Sequence, residues 1–149
     1  MKRLRTLTAD QPEAGAATVF VVAFAVVLLV MAGLVVDGGL AINARQRVAD
    51  DVEQAARAGS QNLDMASLRN GGLVRIDPGK AQAAAEDFLA RRDYPAGSVS
   101  VQADPARVVV SAEIKQKTTL LSLIFINEFT VRAQGQARPA VGITGEDIP

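Results

Sequence analysis

The chain has 149 residues, with Lys plus Arg and Asp plus Glu at 16 each, and it contains neither Cys nor His. Balanced charge gives no electrostatic reason to bind nucleic acid, and the missing Cys and His exclude disulfides, thiol catalysis, histidine-dependent triads and the commonest zinc sites. Once the N-terminal tail and the apolar run behind it are set aside, about 110 residues remain, enough for one small domain.

Lys2, Arg3 and Arg5 open the chain, followed by a polar stretch through Glu13 and Gly15. Residues 16–36 (AATVFVVAFAVVLLVMAGLVV) then run without a charge. At about 1.5 Å per residue they reach roughly 31 Å, the thickness of a bilayer's hydrocarbon core. A cleaved secretory signal has a shorter apolar region, of about 7–15 residues, ending at a small-x-small exit. Here Met31-Ala32-Gly33 lies inside the run, so the reading is an uncleaved, single-pass signal anchor in the cell membrane. Basic residues are retained in the cytoplasm, which predicts a cytoplasmic N-terminus (residues 1–15) and an extracytoplasmic C-terminal region, although Arg45 and Arg47 on the far side weaken the asymmetry.

Asp37-Gly38-Gly39 could break the helix, since each glycine costs about 1 kcal/mol relative to Ala. The following residues argue for continuation. Ala41, Ala44, Val48, Val52, Ala55 and Gly59 form one narrow stripe at helical spacing, and no Pro interrupts residues 40–62. Small side chains of this kind admit a close neighbour such as another helix. Asp50, Asp51, Glu53 and Arg57 beside the stripe read as a solvated face, with Glu53 and Arg57 in the favourable i,i+4 order. Residues 37–62 are therefore expected to extend the membrane helix as a stalk.

Turn signals at Asn70-Gly71-Gly72 and Asp77-Pro78-Gly79 mark residues 63–78 as a linker. Residues 80–92 read as a helix with Ala81, Ala84, Ala85, Phe88 and Leu89 on one side, started near Asp77 or Gly79 and ended before Pro95. The period then changes to two. Val99, Val101 and Ala103 alternate with polar residues, Asp104-Pro105-Ala106 makes a turn, and Val108, Val110, Ala112 and Ile114 line one face of a second strand. Phe129, Val131, Ala133, Gly135 and Ala137 line a third. The predicted fold is α+β: a long N-terminal transmembrane helix continuing into a stalk, then a small pilin-like head (residues 63–141) with one helix on a three-stranded antiparallel sheet. Residues 142–149 read as a disordered, solvated tail.

Residues 118–127 (TTLLSLIFIN) are too apolar for an ordinary loop and too few to span a bilayer. They are either a short helix or turn tucked into the core, or a docking surface for a neighbouring subunit or the membrane, with Leu120, Leu123 and Phe125 as contacts. Phosphate-cradling and nucleophile-elbow patterns are missing, adjacent acids such as Asp50-Asp51 and Glu86-Asp87 diverge by about 100° on a helix, and Asp64, Asp77 and Asp104 have no ligand spacing. The expectation is no enzyme, with no catalytic residue, cofactor or metal.

Gly15 before the apolar run, Val36-Asp37-Gly38-Gly39 at its exit, Arg45-Gln46-Arg47-Val48 and Ala55-Ala56-Arg57-Ala58-Gly59 resemble the N-terminal module of TadE/TadG-like proteins of tight-adherence (Flp) pilus systems. The likeness is best over residues 14–60 and extends more weakly to the strand at 129–139. It implies a bitopic, pilin-like minor component or assembly factor, working with other pilus or secretion-system proteins through the N-terminal helix. Glu53 stands where the family usually has Asp, and Arg57 where it has Leu. Phe20 stands where a prepilin site at Gly15 would carry Glu, which favours retention of the full N-terminus. Two other readings are a membrane-tethered extracytoplasmic binding or secretion accessory module unrelated to pili, and a cleaved secreted head.

Overall fold

A computed structural model describes residues 12–71 and 73–139. The tails read at 1–15 and 142–149 lie outside these residues, apart from the first turn of the first helix. That helix, α1 (Pro12–Ser60), is unbroken through Gly38 and Gly39 and is roughly 74 Å long at about 1.5 Å per residue. Its last carbonyls are satisfied by side chains: Asn62 Nδ2 donates to Ala58 and Gly59 oxygens at 2.9 and 3.2 Å, and Ser60 Oγ to Arg57 O at 3.0 Å.

The stretch read as a linker contains a short helix, α2 (Met65–Arg69), whose N-cap Asp64 accepts from the backbone N–H groups of Ala66 and Ser67. Leu63 and Ile76 form a bridge, and Asp77 N–H donates to Asn62 O at 2.8 Å, which returns the chain to the end of α1. Helix α3 (Pro78–Ala90) begins with Asp77 as N-cap and Pro78 in the first turn, where its missing N–H is harmless. It starts and stops two residues ahead of the periodic reading, because the cap and not the apolar repeat sets its start. Three strands follow: β1 (Val99–Asp104), β2 (Arg107–Lys117) and β3 (Glu128–Ala137). They form an antiparallel sheet in the order β1-β2-β3.

The register pairs Val101 with Val110, Ala112 with Ala133 and Ile114 with Val131, so the apolar alternation of all three strands falls on one face. The other face is polar and includes the cross-strand ion pair Glu113–Arg132 at 2.6 Å. The cover on the apolar face differs from a single helix laid across it. The C-terminal half of α1 and helix α3 both pack there, and Val48, Val52, Ala55 and Ala56 of the stalk segment share one core with Leu89, Val108 and Val110.

The small-residue stripe serves these contacts. A methyl on Gly135 of β3 would lie 2.7 Å from Glu53 N and 2.8 Å from Glu53 Cα, and one on Gly59 would lie 2.9 Å from Ala81 O of α3. Real side chains do not tolerate such distances against backbone, so the strand and α3 reach α1 only because these positions are bare. The neighbour that the stripe admits therefore belongs to this chain.

Candidate functional site

Strand β2 runs back along α1 toward its N-terminus. Val108 lies beside Gly59, Ile114 and Gln116 beside Ala44 and Val48, and the connection after β2 reaches Gly33. A side chain at Gly33 would come within 3.2 Å of Leu120 Cβ and 3.3 Å of Leu121 Cδ2. Gly33 belongs to the apolar run, so the head begins before the run has ended.

Asp37 joins the two parts. It is 1% exposed, and its carboxylate accepts the backbone N–H groups of Thr119, Leu120 and Leu121 at 2.8, 2.9 and 2.7 Å. These donors open a 3₁₀ turn over Leu121–Ile124, and a carboxylate on consecutive N–H groups is the arrangement by which helix starts hold anions. Among the described residues the negative charge is compensated by peptide dipoles and not by a cation. The loop also closes on itself: Thr118 N–H donates to Asn127 O at 3.0 Å, Ile126 N–H to Leu121 O at 3.1 Å and Ser122 Oγ to Thr119 O at 2.8 Å.

Residues 118–127 contain a short 3₁₀ turn that is buried on one side and exposed on the other. Leu121 is 3% exposed and plugs the junction, whereas Leu123 and Phe125 are 75% and 90% exposed. Leu120, half-buried against Gly33, belongs with the internal contacts. Phe125 also takes a left-handed backbone conformation (φ 67°), strained for a bulky residue, at the end of the 3₁₀ turn.

A second polar group ties α1 to α3. Asp51, expected on a solvated face, is 8% exposed; it accepts from Tyr94 OH at 2.9 Å and pairs with Arg92, whose guanidinium lies 5.0 Å over the Phe88 ring. Burial, then the bond to the Asp51 carboxylate, pushes the Tyr94 phenol up to about 12. Asp50 and the Glu53–Arg57 pair stay exposed, as expected of a surface face, where such a pair adds little.

The acids weighed for an ion site are engaged locally. Asp64 and Asp77 cap α2 and α3, and Asp104 accepts from Ala106 and Arg107 N–H at 2.8 and 2.9 Å in the β1–β2 turn. Among the described residues, no group of three or more Asp, Glu, His or Cys side chains could hold a metal ion. An open depression of about 850 Å³ lies near Ser98, Ser100, Glu113, Lys115 and Arg132.

Along α1 the large apolar side chains from Val19 to Val36 face outward, with Phe20 stacked on Phe24. This helix is long and apolar enough to cross a membrane, and its exposure is unlike that of a core helix in a soluble domain. The organising site is thus the junction where this bare helix meets the head.

Residues 15–85 match the model of a protein family described as "Putative Flp pilus-assembly TadE/G-like". Over these residues the chain is similar to TadE/G-like proteins, and the match takes in the apolar run, the Asp37 junction, the small-residue stripe and the first turns of α3. No curated protein and no solved structure matches the chain.

Proposed function

We propose that this protein is a non-enzymatic, membrane-anchored component of Flp/Tad pilus assembly, either a minor pilin-like subunit or an assembly factor. The observation that carries this is the family match over residues 15–85, which coincides with the exposed apolar helix and the residues that fix the head to it. In this reading residues 1–15 are cytoplasmic, 16–36 cross the membrane and 37–141 lie outside the cytoplasm. Residues 37–62 are both the stalk and the spine of the head, and 142–149 form a tail. The exposed face of the apolar helix meets the helices of other pilus or secretion-system proteins, since outside the Gly33 contact the described residues do not cover it.

Deletion of the gene in its host, with restoration by the full chain, tests the role. Surface filaments, sheared from the cells and weighed by immunoblot, are expected to disappear and return. Normal filaments in the deletion strain overturn the pilus reading. Orientation is tested separately, because the chain has no native cysteine: Ser100→Cys in β1 should react with an impermeant maleimide on spheroplasts, and Thr6→Cys should not.

A further inference from the structure

We infer that the tip of the β2–β3 connection is inserted into the bilayer, at the boundary between headgroups and acyl chains of the leaflet from which α1 emerges. The occupant of its exposed apolar surface is therefore lipid. The inference rests on the membrane-anchored reading above and adds to it a second point of contact.

Depth is set by covalent and packed geometry. Leu120 and Leu121 lie against Gly33, and Gly33 is three residues inside the apolar run. At about 1.5 Å per residue the base of the loop is thus roughly 5 Å below the end of the span. Interfacial apolar segments commonly reach about 5–10 Å into the same zone. Asp37 and the loop's own hydrogen bonds hold the base there, so the tip cannot withdraw without breaking them.

The surface chemistry agrees. Leu123, Ile124, Phe125 and Ile126 are consecutive and all exposed, next to the exposed apolar face of α1. Phe125 combines near-complete exposure with a left-handed backbone at the C-cap of the 3₁₀ turn, which holds its bulky ring outward, away from the head. Beyond the tip, Lys117 at the end of β2 and the Lys115–Glu128 ion pair (2.7 Å) sit on the head side, where polar groups and a long cationic side chain meet the headgroup zone. Apolar tip, polar and cationic shoulder, and adjoining membrane helix follow the profile of one lipid leaflet.

The test uses the absence of native Trp. The full chain is reconstituted in phosphatidylcholine–phosphatidylglycerol vesicles as three single-Trp variants, Phe125→Trp at the tip, Val26→Trp within the span and Leu73→Trp at the far end of the head. Lipids brominated on the acyl chain near the headgroup quench by contact. The expected result is blue-shifted emission and loss of most intensity for Phe125→Trp, and red, unquenched emission for Leu73→Trp. Val26→Trp should be quenched by lipids brominated deeper in the chain. Quenching at Val26→Trp without quenching at Phe125→Trp, repeated with Leu123→Trp, overturns the insertion and leaves the anchor standing. No quenching at Val26→Trp overturns the anchor and the insertion with it.

Discussion

Replacing Asp37 by Ala should release the loop from α1 while the rest of the head stays folded. The carboxylate holds three backbone N–H groups, and a hydrogen bond to a charged group contributes a net of about 1.5–3 kcal/mol. These bonds are not additive, because the freed N–H groups regain water once the loop lifts. Lifting also exposes Leu121, whose burial is worth about 2 kcal/mol. Counting the clamp as a whole at about 3 kcal/mol, the free energy of local opening should fall by about that amount, since the cost of exposing Leu121 is the same in parent and variant. Exchange of the Thr119, Leu120 and Leu121 amides should then quicken by about 100-fold or more. Hydrogen exchange read by mass spectrometry on the full chain in nanodiscs measures this, with the α3 peptide around Ala85 and Leu89 as reference. Asp37→Asn, which keeps one acceptor oxygen and loses the charge, should lie between Ala and the parent. Unchanged exchange at residues 119–121 in the Ala variant, or an equal rise in α3, refutes a local clamp.

Three further outcomes follow from packing and ionisation. Gly135→Ala would drive a methyl into the backbone of Val52 and Glu53, so β3 must move off α1; a loss of about 1–3 kcal/mol, or more if the sheet cannot shift, is expected in thermal unfolding followed by circular dichroism. Gly38→Ala should have the opposite sign, a gain of about 0.5–1 kcal/mol in the same assay, since nothing lies within 4 Å of the added carbon and the helix continues through it. Tyr94 is the only tyrosine in a chain without Trp, so absorbance titration reports it alone; half-ionisation is expected near 12 in the fold, against about 10 in denaturant. Because the folded value is raised, its contribution to stability is complete below about 10 and is lost as pH rises through about 12. Asp51→Asn should bring the titration back toward that of a free phenol.

The parts of the fold that were legible are those written in local periodicity. A charge-free run, a 3.6-residue repeat and a two-residue alternation each constrain neighbours in the chain, and the sharing of one face by Val101, Val110, Ile114 and Val131 follows from alternation alone. The junction was not legible, because its bonds join residues 82–84 positions apart. Asp37 looked like punctuation between an apolar run and two glycines, and an acid there is equally compatible with a helix end. Asp51 was missed for the same reason: Tyr94 is 43 positions away, and without it Asp51 is one of three acids on a polar face. Small residues are ambiguous in a different way. The stripe at Ala44, Ala55 and Gly59 announces that something comes close, but bare positions do not distinguish a helix of another subunit from a strand of the same chain.

The junction also determines what the long helix can do. A bare transmembrane helix joined to a head through two glycines would let the head swing, since Gly38 and Gly39 have open space around them. Here the head is attached on both sides of those glycines, at Gly33 and Asp37 below and from Ala44 onward above, so bending at the pair would require breaking one attachment. The glycines are thus bridged by the loop, and tilt of the membrane helix is transmitted to the sheet instead of being absorbed at the bilayer surface. If the loop tip rests in the lipid, tilt toward that side is opposed as well, and the polar face of the sheet is presented at a fixed angle to whatever approaches from outside. Release of the clamp would convert this rigid presentation into a hinged one without unfolding either part. If the chain acts in pilus assembly as proposed, assembly should therefore be sensitive to Asp37 as well as to the exposed face of the span.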